Sequence, residues 1–377
     1  MSAKVLIFSH YFYPCYQAGG PVRSLANLTA YLEGDVDFDV ITSAADLDGK
    51  KLHNIHTDRW VNTINSTKVY YCSNMLSVVS LQKNIDVSQY DVVYLNSFFD
   101  FKYTILPLLF LKISNYKGRI LIAPRGELSF GAIKFGENKK RLYTRLFCKF
   151  FENLNIKFHF TSIEERKEAI DILPKSFSSI LVPNMHEKFD VKHSGSKIVN
   201  KLSMIYLSRV CDKKNLYTAL KSLQFIPSHQ SIVFTIAGPI DSDVYWSKCL
   251  TLIENMPEHI IVNVVGSLDR HATIQALSQN EAFILPTYNE NFGHAIVEAC
   301  SLGCIPIISN KTPWSEVSKH GGFVCEPDDY QSIARSIETI SSYDYSDYNA
   351  SREMVVDFFK VHLNNNERLV KEMFENV

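Results

Sequence analysis

The chain has 377 residues, enough for two or three domains with cores of their own, and its 46% hydrophobic and 21% charged content is that of an ordinary globular protein. With only 15 glycines and 13 prolines, collagen-like and extensively disordered organisations are excluded. Thirty-nine basic side chains against 40 acidic ones leave a net charge of −1, so no broad positive field exists to attract nucleic acid, and any basic site must be local.

In chain order, short β-rich apolar runs alternate with longer helical patterns, the sign of parallel sheets covered by helices. The first half predicts strands at residues 4–8, 38–42, 68–72, 92–95, 119–123, 157–161 and 179–182. The second predicts them at 204–207, 232–237, 260–265, 282–285, 305–308 and 322–324. Between the halves lies a polar, aperiodic stretch with Pro, Gly and Ser, which gives an N-terminal domain over 1–185, a linker over 186–197, a C-terminal domain over 198–350 and closing helices over 351–377 that pack back on the first domain. The apolar run at Val5 to Phe8 is too short for a secretory segment, and the run at 105–111 is broken by Pro107 and followed by Lys112. A cytoplasmic protein without a membrane-spanning helix is predicted, and its eight scattered cysteines, none in a CxxC pair, read as reduced core thiols.

Open parallel sheets bind ligands at the carboxyl ends of their strands, so the strand-to-helix loops are where chemistry is sought. After the first strand, Gly19-Gly20-Pro21 opens an amphipathic helix, where glycine frees the backbone to approach a phosphate. After the fifth, Arg125-Gly126 carries a cation that cannot be a general base, because its pKa exceeds about 12, but suits phosphate or acceptor hydroxyls. A stripe over 134–149 interleaves cations with Leu142, Tyr143, Leu146 and Phe147 and reads either as a solvated face or as a dock for anionic membrane.

The strongest constellation runs from Phe283 to Ser309, where a strand, a Pro-containing loop and a small-residue helix carry Glu290 and, eight residues on, Glu298. Glu298 stands alone on an otherwise apolar segment, and a buried carboxylate costs several kcal/mol, roughly, unless partnered, so its partner is a ligand or a buried cation. Carboxylates accept two hydrogen bonds at once, as vicinal sugar hydroxyls offer them, and Gly293 at the helix start lets backbone N–H groups approach a sugar or anion.

This run resembles the E-x7-E signature of the retaining GT-B-fold glycosyltransferases of family 4, with Pro286, Glu290, Phe292, Gly293, Glu298, Ala299, Gly303 and Pro306 in matching places. Thr287 and Ser301 depart mildly from the usual Ser and Ala. Arg209 and Lys214, five apart after the strand at 204–207, are similar to the family's G-R-x-x-x-x-K-G element, with Ser208 and Asn215 in place of its two glycines and Lys213 a competing candidate beside Lys214. The resemblance implies an α/β protein of two Rossmann-like parallel-sheet domains facing a central cleft, the N-terminal one binding the acceptor and the C-terminal one the nucleotide sugar. It implies that Glu290 contacts the donor sugar, that the amides of Phe292, Gly293 and His294 hold sugar and diphosphate, and that Glu298 holds the ribose. Arg209 and Lys214 would stabilise the leaving diphosphate without a metal, and Gly19, Gly20, Gly238 and Gly266 would line the nucleotide, while Asp241-Ser-Asp243 reads as surface. The implied activity is transfer of a sugar from a nucleotide diphosphate sugar, with no further cofactor, to a sugar or polyprenyl-linked acceptor in bacterial surface polysaccharide synthesis, at the inner face of the cell membrane. The competing readings are a nucleotide-sugar epimerase of the same fold and a catalytically silent nucleotide-sugar-binding subunit.

Overall fold

The computed structural model describes residues 2–375 apart from 16–18, 48, 54, 64–66, 129–142, 145, 148, 174–177, 187, 188 and 190–196. The chain divides into two compact units, one of Met1–His186 with Asn365–Val377 and the other of Glu187–Asn364.

Unit 1 is built on an eight-stranded sheet in the order β3-β4-β2-β1-β5-β6-β7-β8. Its strands are β1 (Ala3–Phe8), β2 (Val36–Ser43), β3 (Trp60–Asn62), β4 (Lys68–Cys72), β5 (Val92–Leu95), β6 (Arg119–Ile122), β7 (Ile156–Phe160) and β8 (Ser178–Leu181). All neighbours are parallel except β3 with β4. The central strands are covered on both faces, so β5 and β6 are buried at every position and carry no period-2 alternation. Helices α1 (Gly20–Tyr31), α2 (Met75–Asn84), α3 (Leu106–Ile113) and α4 (Ile163–Ile170) make the connections. Seven of these strands stand where the sequence predicts them; β3 does not, because three residues with no buried side chain leave no apolar signature.

Unit 2 carries a six-stranded sheet, β11-β10-β9-β12-β13-β14, parallel throughout. The strands are β9 (Lys201–Leu207), β10 (Ser231–Ala237), β11 (Ile260–Gly266), β12 (Ala282–Leu285), β13 (Ile305–Ser309) and β14 (Phe323–Cys325). Helices α5 (Leu216–Leu223), α6 (Asp243–Glu254), α7 (Arg270–Ser278), α8 (His294–Ser301) and α9 (Tyr330–Ser342) alternate with them. The α/β class and the pair of parallel sheets are therefore as predicted. One core joins β9, β10, β12 and β13 to α5, α8 and α9 through Ile205, Phe234, Phe283, Ile296 and Ile337, all without solvent exposure.

The closing segment, predicted as helices from 351 onward, is one continuous helix, α10 (Tyr345–Glu375), that begins before that boundary. Its last turns belong to unit 1: Phe374 is fully buried and meets the Phe38 ring edge-on at 5.7 Å, and Lys371 pairs with Asp35 at 2.8 Å.

Candidate functional site

The loops after β9, β10 and β12 bring most of the predicted residues of unit 2 together. Leaving β9, Ser208 donates its amide to Ala237 O at the end of β10 (3.0 Å), and Val210 and Ile240 form a further bridge. This close approach needs Gly238: at φ 138° its ideal Cβ would sit 1.9 Å from the Ser208 carbonyl oxygen, and its amide donates to Gly266 O at 2.8 Å. Gly238 and Gly266 thus join three strand ends. The chain then makes a short 3-10 turn over Asp212–Lys214 and passes through Asn215, whose φ of 57° lies in the left-handed region. Asparagine is among the few side chains that tolerate it, so it stands in for the second glycine of the resembled element. Its carboxamide also accepts from the Thr218 hydroxyl of α5 (2.8 Å) and donates to Pro286 O (3.1 Å) and Pro327 O (2.8 Å), tying the turn to the loops after β12 and β14.

In the loop after β12, Thr287 is fully buried, and its hydroxyl donates to Lys213 O at 3.0 Å. Glu290 follows, its amide donating to Lys311 O (3.1 Å) and its carboxylate in a short ion pair with the Lys214 ammonium; both side chains are mostly buried. Lys213 beside them is pushed below its ordinary value by burial and by the charges of Lys214 and Arg209, against the pull of Glu290. Arg209 extends its Nη1 to Asp241 Oδ2 at 2.9 Å. Asp241, predicted as surface, is exposed and is also the partner of Arg209.

Gly293, at φ 79°, is the N-cap of α8, and no side chain caps that helix. A Cβ there would meet Ile296 Cδ1 at 2.8 Å and Glu290 Cγ at 3.0 Å, so glycine is demanded by conformation and space together. The Phe292 carbonyl accepts from the Trp314 indole, and the Phe292 ring packs at 4.7 Å from His294, which is buried. On the next turn Glu298 is 1% exposed and pairs with Arg270 at 3.1 Å. Of the two partners left open for this carboxylate, the cation is present. Arg270 opens α7, far away in sequence from α8, and its guanidinium also lies 5.4 Å from the Phe189 ring. Only a three-dimensional neighbourhood reveals it.

In unit 1, Gly19 (φ 68°) caps α1 and Gly20 begins it, as the glycine-proline pattern predicts. Arg125, itself at φ 53°, spends its guanidinium within the unit: Nε donates to Asn96 Oδ1 (2.7 Å), Nη1 to Asn184 Oδ1 (2.6 Å) and Nη2 to the Tyr94 hydroxyl (2.9 Å). Arg125, partly buried, is thereby held in place by three side chains of unit 1. The chain of contacts continues from Tyr94 to His159 Nδ1 (2.8 Å) and from His159 Nε2 to Val182 O (2.8 Å). Burial, joined by the Arg125 charge, pushes His159 down to about 3. Of the basic stripe over 134–149, residues 134–142, 145 and 148 lie outside the described residues; Phe147 is in the core and Leu146 is exposed. Among the described residues no helix is long and apolar enough to cross a membrane.

Residues 188–354 match the family described as Glycosyl transferases group 1. Among curated proteins, the capsular polysaccharide biosynthesis glycosyltransferase CapM of Staphylococcus aureus is 25% identical over 140 residues, which is 36% of this chain and 35% of that protein. The O-antigen chain mannosyltransferase B of Escherichia coli is 24% identical over 137 residues, 35% of each. The matched stretch thus spans about a third of the length of these relatives. Among solved structures, Anabaena Alr3699/HepE in complex with UDP and glucose superposes with a TM-score of 0.72 at 17% identity, over 100% of both chains. That likeness is one of fold, shared with other GT-B glycosyltransferases such as trehalose-6-phosphate synthase OtsA (TM-score 0.72, 10% identity). The loops that gather Arg209, Lys214, Glu290, Gly293 and Glu298 accordingly lie within the stretch that matches Glycosyl transferases group 1, in a chain of two parallel-sheet units whose fold is like that of the GT-B glycosyltransferase structures.

Proposed function

We propose that the protein is a family 4 glycosyltransferase that moves a sugar from a nucleoside diphosphate sugar to an acceptor hydroxyl with retention of anomeric configuration. The observation that carries this is the convergence, at the carboxyl ends of β9 and β12, of Arg209, Lys214 and Glu290 with an α8 N-terminus that no side chain caps. As the bond from the anomeric carbon to the diphosphate breaks, negative charge grows on the leaving phosphate, and fixed cations there lower the barrier more than they strengthen substrate binding. Arg209 and Lys214 fill that role in place of a metal ion. Glu290, held beside Lys214, receives donor-sugar hydroxyls, and its charge favours the positive character developing at the anomeric carbon. The amides of Phe292, Gly293 and His294 face the sugar and diphosphate, and Glu298, oriented by Arg270, holds the ribose.

Relatives named for capsule and O-antigen synthesis support a role in bacterial surface polysaccharide assembly. Lipopolysaccharide, capsule or exopolysaccharide precursors on a polyprenyl carrier suit an enzyme docked peripherally by the 134–149 stripe. The test is a thermal-shift panel of UDP, GDP, ADP and their sugars, followed by NMR of the product anomer. A ligand at 100 times its dissociation constant adds about 2.7 kcal/mol, a shift of a few degrees. No shift with any member, or an inverted anomer, refutes the reading.

A further inference from the structure

The loop that leaves β13 takes hold of the Glu290 turn at two points. Its first residues are anchored by Ser309, whose hydroxyl donates to Thr287 O and accepts from the Lys311 amide (3.3 Å). The Lys311 carbonyl accepts from the Glu290 amide (3.1 Å), and three residues further on the Trp314 indole N–H donates to the Phe292 carbonyl. The indole has little freedom to do otherwise. It is 6% exposed, and its backbone amide is tied to the Thr312 hydroxyl (3.4 Å). Its ring is packed by Phe292 at 5.4 Å and, from α10, by Phe359 at 4.9 Å and His362 at 5.5 Å.

The second grip fixes more than a carbonyl. A trans peptide is planar, so the C=O of Phe292 and the N–H of Gly293 point in opposite directions. With the carbonyl drawn to Trp314, the Gly293 amide faces away from the indole. Gly293 is buried, yet among the described residues its amide donates no hydrogen bond. Buried amides are almost always paired, so an open one asks for a partner from outside the chain. Its surroundings narrow which part of a donor that is. An ideal Cβ on Gly293 would stand 3.0 Å from Glu290 Cγ, so the amide lies close to the carboxylate assigned to the sugar.

We propose that Trp314 is a positioning residue: by pinning the Phe292 carbonyl it aims the Gly293 amide at the sugar-bearing phosphate of the nucleoside diphosphate donor. This rests on the transferase reading above and adds to it a residue outside the run from Glu290 to Glu298. Without the indole N–H the peptide plane is free to rotate and its amide loses its aim. A hydrogen bond from an amide to a charged phosphate is worth about 10- to 100-fold in affinity. The loss falls on ligands that carry the distal phosphate and spares those that lack it, which a general loosening of the fold would not do.

The test uses NMR of the full chain with carbonyl-labelled phenylalanine and nitrogen-labelled glycine, which marks the peptide bonds of Phe130-Gly131, Phe135-Gly136 and Phe292-Gly293; Phe292→Leu identifies the third by its loss. The variants are Trp314→Phe and the chain with benzothienylalanine at position 314, whose ring keeps the indole shape with sulfur in place of N–H. Calorimetry compares UDP, GDP and ADP with UMP, GMP and AMP. In the wild type, the nucleoside diphosphate that binds shifts the Gly293 amide and its monophosphate does not. Both variants move the Phe292 carbonyl signal, silence the Gly293 response and weaken diphosphate binding about 10- to 100-fold, while monophosphate affinity stays within about twofold. An equal loss for diphosphate and monophosphate, or an unchanged Gly293 response in the variants, overturns the role of Trp314 and leaves the transferase reading standing. If no nucleotide binds the wild type, the transferase reading fails and the positioning role with it.

Discussion

Arg209 and Asp241 share a hydrogen bond in which both side chains keep substantial solvent exposure, so a phosphate that takes the guanidinium competes with a carboxylate already there. An exposed pair of this kind contributes up to about 1 kcal/mol, and removing the competing charge should tighten nucleoside diphosphate binding about fivefold. Asp241→Asn is therefore expected to bind better, and Arg209→Ala about tenfold worse or more, both by calorimetry; weaker binding by Asp241→Asn would show that the carboxylate presents the arginine to the ligand. Glu290 calls for a different measurement. If it acts on charge that develops at the anomeric carbon, Glu290→Gln lowers turnover about 10²–10³-fold while nucleotide affinity changes little, and an equal loss of both contradicts the role. His159 supplies a pH prediction. Its folded-state value of about 3 lies below the ordinary 6.5, so between those values the unfolded chain takes up a proton that the folded chain refuses. Stability then falls as pH drops through that window, by up to about 1.4 kcal/mol per pH unit from this group. Denaturant unfolding of His159→Gln from pH 6.5 to 4 should show a shallower decline than the wild type.

The helices and loops of unit 2 show what a motif encodes and what it omits. Replacing Gly238 by alanine forces the loops after β9 and β10 apart, because the contact is with a backbone carbonyl that cannot rotate away. The expected cost is about 2–4 kcal/mol, read by chemical denaturation, with nucleotide affinity lost alongside because Arg209 moves with Ser208. Glycine at 215 keeps the left-handed turn but loses two donors to Pro286 O and Pro327 O, so Asn215→Gly separates conformation from bonding at this turn. Glycines before helices and carboxylates on apolar segments are visible in sequence because their physical demand is local. Hence β1, β2 and β4 to β14, Gly293 and the burial of Glu298 were all legible. Arg270, Asp241 and the Arg125–Tyr94–His159 chain were not, since each joins residues from different βα units whose spacing carries no periodicity. The short β3 was missed for the opposite reason: its pairing is local, but its side chains bury nothing.

At the scale of the molecule, the same architecture is used twice, and the proposed clamp and glutamates lie in unit 2. One element belongs to both: α10 runs unbroken from Tyr345 to Glu375, with its residues divided between the units at Asn365. A chain of this kind need not unfold in a single step, so one stability value does not describe it. The two units are separable by perturbing each from its own side. Phe374 is fully buried against Phe38 and Tyr94 in unit 1, and truncating such a ring costs about 3–5 kcal/mol through lost burial and the cavity left behind. A nucleotide that binds unit 2 alone stabilises that unit by mass action. Scanning calorimetry of Phe374→Ala with and without UDP should then show one transition lowered by the mutation and a second raised by the ligand. If both perturbations move a single transition, α10 couples the units into one cooperative fold, and cutting the chain after residue 364 should lower the nucleotide-stabilised transition as well.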